Sequence, residues 1–221
     1  MTVSIIIPTL NEADGLPVTL RRVQSQPGPK EILVVDGGST DRTLSVAREA
    51  GVRTLRAPRG RAVQMNRGAA HGSGSAFLFL HADTLLPPTG LATVRRTLAD
   101  ADAGIFRLRF TRETPLLRLY GWATSLDWIR LAFGDRGLFT TRSAFEAVGG
   151  YPDWPIFEDL EMADRLDRHG SFDFVDSAVR TSPRRFERNG PVRQQLRNAY
   201  LWLHYCLRTE PESVAHLYDD G

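Results

Sequence analysis

Residues 77–84 read FLFLHADT. Four apolar side chains run without a break, then give way to His81, Ala82, Asp83 and Thr84. An uninterrupted apolar run of this length predicts a strand buried on both faces, as in a parallel sheet covered by helices. A carboxylate at the end of such a strand is costly beside a core unless something pairs with it. Asp83 therefore admits two readings. It is a solvated loop residue, or it holds a cation at the carboxyl edge of a sheet.

The sequence on either side builds that sheet. VSIIIP (3–8) predicts a buried strand ended by its proline, and the spacing of Leu16, Leu20 and Val23 predicts a helix over 16–26. EILVVD (31–36) is a second apolar strand, followed by a helix over 39–50 with Ser39 as its N-cap. A strand at 52–57 and a helix at 61–72 precede the strand at 76–81, and a helix over 87–100 carries prolines at its start. GIFRLRF (104–110) alternates and predicts a strand with one polar face. Strand and helix alternating at this spacing argue for a mostly parallel central sheet with helices on both faces, an α/β architecture. Such sheets bind ligands beyond the carboxyl ends of their strands, near a topological switch. TLNE, DGGSTD and HADT each follow an apolar strand, so this fold gathers them on one rim.

The second half is less regular. An aromatic-rich helix is expected over 116–133, a short strand at 137–142 and a helix to about Val148. A Gly/Pro loop spans 149–157, a helix 158–170, and one or two short strands fall within 172–182. A long helix over 192–207 is apolar at Leu196, Tyr200, Leu203 and Leu207. No repeat or linker divides the chain. The expectation is one domain over 1–221, with 191–221 as a helical C-terminal appendage.

Composition narrows the class. The 221 residues are 42% hydrophobic and 24% charged, ordinary for a soluble globular chain. One cysteine, Cys206, excludes an intramolecular disulfide and a cysteine-based zinc site. No apolar run approaches the ~20 residues that span a bilayer, and VSIIIPTLNE has no basic leader, so the expected location is the cytoplasm. Net charge is +2, from 28 basic and 26 acidic residues, and Lys30 is the only lysine. Arginine suits bidentate phosphate contacts, although codon or lineage bias is the better explanation of the total. Position says more: seven arginines fall between Arg180 and Arg208, with Glu187 the only acid among them.

Each motif alone has an ordinary explanation. DGGSTD (36–41) is a strand-to-helix turn, neither a P-loop nor GxGxxG, in which Asp36 can accept from a base or ribose donor. HADT offers one carboxylate to Mg²⁺ or Mn²⁺ beside a phosphate ligand. His81 stands where a dehalogenase-type phosphatase needs its nucleophilic aspartate, which sets that reading aside. Glu158 and Asp159 open a helix, where the macrodipole alone justifies acids, or where one of them is a general base. GDRG (134–137) is a salt-bridged turn or lines a substrate pocket, and RRFERNG (184–190) is a solvated loop or a pyrophosphate clamp.

In order and at suitable spacing, SIIIPTLNE (4–12), VVDGGSTDRT (34–43), FLFLHADT and the FED of 157–159 resemble glycosyltransferase family 2, nucleotide-sugar transferases of the GT-A fold. GRAVQMNRGA (60–69), LHADT, GDRGLF (134–139) and TSPRRFERNG (181–190) are further similar to a bacterial subfamily, the radical-SAM/selenodomain-associated transferases, some labelled arsenosugar-biosynthesis enzymes.

The resemblance implies roles at the matching positions. Pro8, Thr9 and Glu12 would border the nucleotide, Asp36 would contact the base, and Arg61 would approach the diphosphate with Arg184 and Arg185. Asp83 matches the second acid of the Asp-x-Asp metal motif, and Asp159, with Glu158 beside it, the position of the catalytic base. Gly134, Asp135 and Arg136 would lie on the acceptor side. His81 replaces the first acid, so the metal would rest on Asp83, the diphosphate and water, with His81 or an arginine replacing some of the cation's charge. The implied activity is inverting transfer from a nucleotide diphosphate sugar, a UDP-sugar first, to an unknown small-molecule or lipid hydroxyl. No Gln-x-x-Arg-Trp motif follows, which argues against a processive synthase. The alternatives are a non-catalytic nucleotide-sugar-binding partner module and a nucleotidyltransferase, the latter without its glycine-rich basic loop. No nucleic-acid-binding module is evident. Arg193 and Arg197 beside Trp202 and Tyr205 admit peripheral contact with an anionic membrane, or a face that covers the core or pairs a homodimer.

Overall fold

The computed structural model describes residues 1–112, 114–123, 126, 128–129, 134–215 and 217. The first half builds strand–helix units: β1 (Val3–Thr9), α1 (Leu16–Gln24), β2 (Lys30–Asp36), α2 (Thr43–Glu49), β3 (Arg53–Arg56), α3 (Arg61–His71) and β4 (Ala76–Phe79). Then come a two-residue β5 (Thr84–Leu85), α4 (Gly90–Thr97), β6 (Ala103–Phe110) and α5 (Pro115–Ala123). A 3-10 turn at Gly134–Arg136 leads into β7 (Leu138–Thr141) and α6 (Arg142–Ala147). The chain continues through α7 (Glu158–His169), β8 (Phe172–Thr181), α8 (Arg184–Asn189), α9 (Pro191–Cys206) and α10 (Pro211–Ala215).

The strands form one sheet in the order β3-β2-β1-β4-β7-β6-β8-β5. β1 pairs in parallel with β2 on one side and β4 on the other, which makes their carboxyl ends the switch point of the sheet. The unbroken apolar runs follow from burial on both faces. Ile5, Ile7, Val34 and Leu78 pack with Leu16, Leu20, Ala47 and Val94 of α1, α2 and α4. Ile6, Leu33, Val35, Phe77 and Phe79 face α3, α6 and α7 through Met65, Phe145 and Met162. Gly68 brings α3 onto β1 so closely that a Cβ there would collide with Ile6.

Several expectations change. β1 runs through Pro8 to Thr9. Ile6 O accepts from Leu80 N, so Pro8, two residues on, faces the same edge, beyond the last β1–β4 pair, Ile6 with Phe79. Its missing N–H therefore costs that ladder nothing. α2 starts at Thr43, and Ser39 is not its cap: its Oγ accepts from Asn11 N at 2.9 Å. The prolines at 87 and 88 precede α4 as a turn. The 172–182 segment is one strand, with an irregularity opposite Phe106 and Arg107. The expected 116–133 helix is described as far as Ala123; its second half lies largely outside the described residues.

Candidate active site

The polar loops after β1 and β2 are laced together. Asn11, in the left-handed region at φ 54°, accepts from Thr40 N, while Glu12 N donates to Thr43 Oγ1 and Ala13 N to Asp41 Oδ2. The Ser, Thr and Asp of DGGSTD therefore fix the TLNE loop. Gln64 of α3 locks the strand ends beneath, its Nε2 donating to Thr9 O at 2.9 Å and Val35 O at 2.7 Å.

Over this edge opens a cavity of about 260 Å³. Pro8 and Thr9 line it from β1, Glu12 from the loop that follows, Arg61 from the start of α3, and His81 and Asp83 from the segment after β4. Asp135, Glu158, Asp159, Arg184 and Arg185 complete its charged surface. Ten of the thirteen residues singled out in the sequence thus share one cavity, together with His81. Of the 134–136 trio, Asp135 lines it. Arg136 is fully buried elsewhere: its Nε donates to Phe106 O at 2.9 Å and its guanidinium lies 5.7 Å from the Phe174 ring centroid. That placement corrects the acceptor-side expectation for Arg136. Asp36 is also off the cavity wall. Its Oδ2 accepts from Gly38 N and Ser39 N, while Oδ1 is buried without a hydrogen-bond partner among the described residues.

Two ion pairs organise the charges. Arg61 Nε meets Glu158 Oε1 at 2.9 Å, with Glu158 almost wholly buried. Arg184 Nη2 meets Glu12 Oε1 at 2.7 Å and joins the C-terminal helices to the β1 loop. Glu158 and Asp159 occupy the first turn of α7, where the helix dipole favours carboxylates. Phe157, just before them, holds a left-handed backbone at φ 69° that costs an L-residue free energy and aims the acid pair.

Burial and neighbouring charge perturb the acids. Burial first, then the adjacent Glu158 carboxylate, push Asp159 well above the ordinary carboxylate range. Burial and then Asp83 raise Asp135 to about 6. Burial lowers His81 to about 3, helped by Arg61 and Arg185. His81 is therefore neutral at physiological pH and brings no positive charge of its own to the site.

Asp83 sits where two strand edges meet. Its Oδ1 is 3.4 Å from Thr84 Oγ1 and 3.5 Å from Thr181 Oγ1. Glu12 Oε2, buried and without a hydrogen-bond partner among the described residues, is close by. It and Asp83 Cβ lie 3.7 and 3.6 Å from the point a Cβ on Gly15 would occupy. Among the described residues no group of three His, Cys, Asp or Glu side chains could hold a metal unaided. The donor set fits a hard divalent ion that takes a carboxylate from the protein and its other oxygens from diphosphate and water.

Sequence reasoning missed the apolar side of the cavity, where Phe110, Tyr120, Ile156, Phe186, Leu201 and Trp202 reach the wall. Its elements pack together only in three dimensions, and no local motif marks them. On α9 the row Leu196, Tyr200, Leu203 and Leu207 is exposed, at 50–68%. The face that packs is marked instead by Leu201, which joins Ile156, Phe157 and Leu160.

A strand order with its switch at β1/β4, an acid after β4 and an acid pair at a helix start define the GT-A fold. The Glycosyl transferase family 2 profile matches residues 4–151, and the chain belongs to that family. A "PGL/p-HBAD biosynthesis glycosyltransferase" of Mycobacterium tuberculosis is 33% identical over 163 residues, covering 67% of this chain and 62% of that protein. The chain thus spans under two thirds of that relative's length. Among solved structures, S. aureus TarS 1–349 in complex with UDP-GlcNAc superposes with a TM-score of 0.67 at 17% identity, over 82% of this chain and 58% of that one. The mannosyltransferase PcManGT from Pyrobaculum calidifontis, in complex with GDP-Man and Mn²⁺, superposes at 0.65 and 23% identity, over 80% and 56%. No helix among the described residues is long and apolar enough to cross a membrane.

Proposed function

We propose that the chain is an inverting glycosyltransferase that moves a sugar from a nucleotide diphosphate sugar to a hydroxyl acceptor with the help of Mg²⁺ or Mn²⁺. The observation that carries this reading is the shared cavity: arginines and Asp83 at the sheet edge face a buried acid pair at a helix start. Pro8, Thr9 and Glu12 border the nucleotide, and Asp36, buried below the rim, holds the Gly38–Ser39 turn on the base side. Arg61, Arg184 and Arg185 neutralise the diphosphate; Arg184 exchanges Glu12 for a phosphate oxygen as the donor enters. Asp83 is the residue that would hold the divalent cation, which when bound supplies further positive charge for the leaving diphosphate.

Asp159 takes the proton of the acceptor hydroxyl. Its raised pKa makes it a stronger base than a solvated carboxylate. Burial first, and then the neighbouring Glu158 carboxylate, which meets Arg61, underlie that basicity. One in-line displacement inverts the anomeric centre. UDP-sugars are the first donors to try and GDP-sugars the second, since relatives of the same fold are complexed with each. The narrower resemblance to the radical-SAM/selenodomain-associated transferases rests on the four quoted motifs and says little about the substrate.

The test is nucleotide diphosphate release from a panel of UDP- and GDP-sugars, with water as the default acceptor. Turnover by the wild type, lost in Asp159→Asn, is the expected result. Tight donor binding with no turnover of any donor, alone or with alcohols added, would favour the non-catalytic binding module.

A further inference from the structure

We propose that the apolar side of the cavity is the acceptor subsite, so the glycosylated hydroxyl belongs to a molecule with an aromatic or aliphatic body rather than to a free sugar. This rests on the transferase reading, because it names the acceptor of that same site.

Two apolar groups make the wall. Phe110 at the end of β6, Tyr120 of α5 and Phe186 of α8 form a ring trio, with centroids 5.5 Å apart for Phe110–Phe186, 5.8 Å for Phe110–Tyr120 and 6.0 Å for Tyr120–Phe186. Ile156 and, from α9, Leu201 and Trp202 form the second group. Among the described residues, the two amide side chains on this wall, Gln194 and Asn198, are hydrogen-bonded to each other. Gln194 Oε1 accepts from Asn189 Nδ2 at 2.6 Å, and Gln194 Nε2 donates to Asn198 Oδ1 at 2.8 Å.

The donor's charged groups have their partners around Arg61, Asp83 and Arg184, in the same cavity. Among the described residues of this wall, the half-buried rings of Tyr120 and Trp202, backed by the buried Phe110, Phe186, Ile156 and Leu201, are what an acceptor can cover, and such a surface rewards burial of apolar area. A free sugar here would bury several hydroxyls against carbon, and each hydroxyl left without a partner is penalised. An apolar alcohol or phenol presents a single hydroxyl, toward Asp159. In the step itself, the acceptor oxygen forms a bond to the anomeric carbon as the bond from that carbon to the diphosphate oxygen breaks. The bonding pair leaves with the nucleotide diphosphate, and the hydroxyl proton passes to Asp159.

Saturation-transfer NMR on the full chain with UDP and Mn²⁺ tests this, using 1-octanol and 4-propylphenol as apolar probes and glucose and glycerol as polar ones. The expected result is at least ~10-fold tighter binding of an apolar probe than of glucose, whichever apolar probe leads. Trp202→Ala and Tyr120→Ala should each weaken it ~5-fold or more while UDP affinity, measured in the same samples, holds. Glucose binding as tightly as both apolar probes would overturn the proposal. So would apolar binding that neither substitution weakens in samples that still bind UDP. Apolar binding that both substitutions weaken, without any UDP binding, would keep the subsite and overturn the donor reading instead.

Discussion

Arg61 and Glu158 are 97 positions apart in sequence, yet Arg61 Nε lies 2.9 Å from Glu158 Oε1 at the junction of two helix starts. The pair joins the diphosphate side of the cavity to its acid pair. It also distinguishes the two acids: Glu158 meets a guanidinium at ion-pair distance, and Asp159 stands beside it on the cavity wall.

Replacing Glu158 with Gln removes the like charge beside Asp159 and takes away the carboxylate that meets Arg61 Nε. Asp159 should then fall back toward the ordinary carboxylate range, so the acid limb of the pH–rate profile moves to lower pH. Thermal or urea unfolding should show a loss of roughly 1–3 kcal/mol for weakening a largely buried charged contact.

Asp159→Asn should lower kcat by about 10²–10⁴-fold, the usual worth of a positioned general base. UDP affinity should stay within a factor of two. Wild-type turnover in this variant would remove Asp159 from the mechanism. In the wild type the base must be ionised, so the rate falls as pH drops through its raised pKa, above the normal carboxylate range.

Asp135 gives a stability prediction with the opposite sense from most carboxylates. Its folded value, about 6, is above the unfolded one, so the native state binds more protons between pH 4 and 6. Stability from this group is full below the unfolded value and is lost as pH rises through 6. Asp135→Asn should therefore stabilise the ligand-free chain by roughly 1–3 kcal/mol at pH 7.5 and by little at pH 4.5. Equal effects at both pH values, read from urea midpoints, would contradict this.

The glutamate–arginine contact across the β1 loop is predicted to be a donor contact in waiting. Arg184→Ala should weaken UDP binding about 10-fold or more. It should unfold little earlier than wild type, because Arg184 is half exposed and such pairs contribute little to stability. Calorimetric affinity and a thermal melt separate the two effects.

The strand half of the fold was legible because burial on both faces writes itself as apolar runs: VSIII, ILVV and FLFL carry β1, β2 and β4 and put their polar tails on one edge. Helix starts were less legible. Ser39 looks like a cap, but tertiary hydrogen bonding to Asn11 claims its hydroxyl and delays α2 to Thr43. Arg136 sits in a polar-looking GDRG, yet a backbone carbonyl and an aromatic face take it into the core. The α9 row Leu196, Tyr200, Leu203 and Leu207 reads as a packed face and is exposed, since periodicity tells which residues share a face and not which face finds a partner. The aromatic trio was invisible because Phe110, Tyr120 and Phe186 meet only after β6, α5 and α8 pack.

The most direct test of the account is calorimetric titration of the chain with UDP and with GDP, each with and without Mn²⁺, repeated on Asp83→Ala. The account predicts UDP binding that Mn²⁺ strengthens ~10-fold or more in the wild type and leaves unchanged in the variant. Failure of a folded sample to bind either nucleotide, or a Mn²⁺ effect that survives the loss of Asp83, would contradict it.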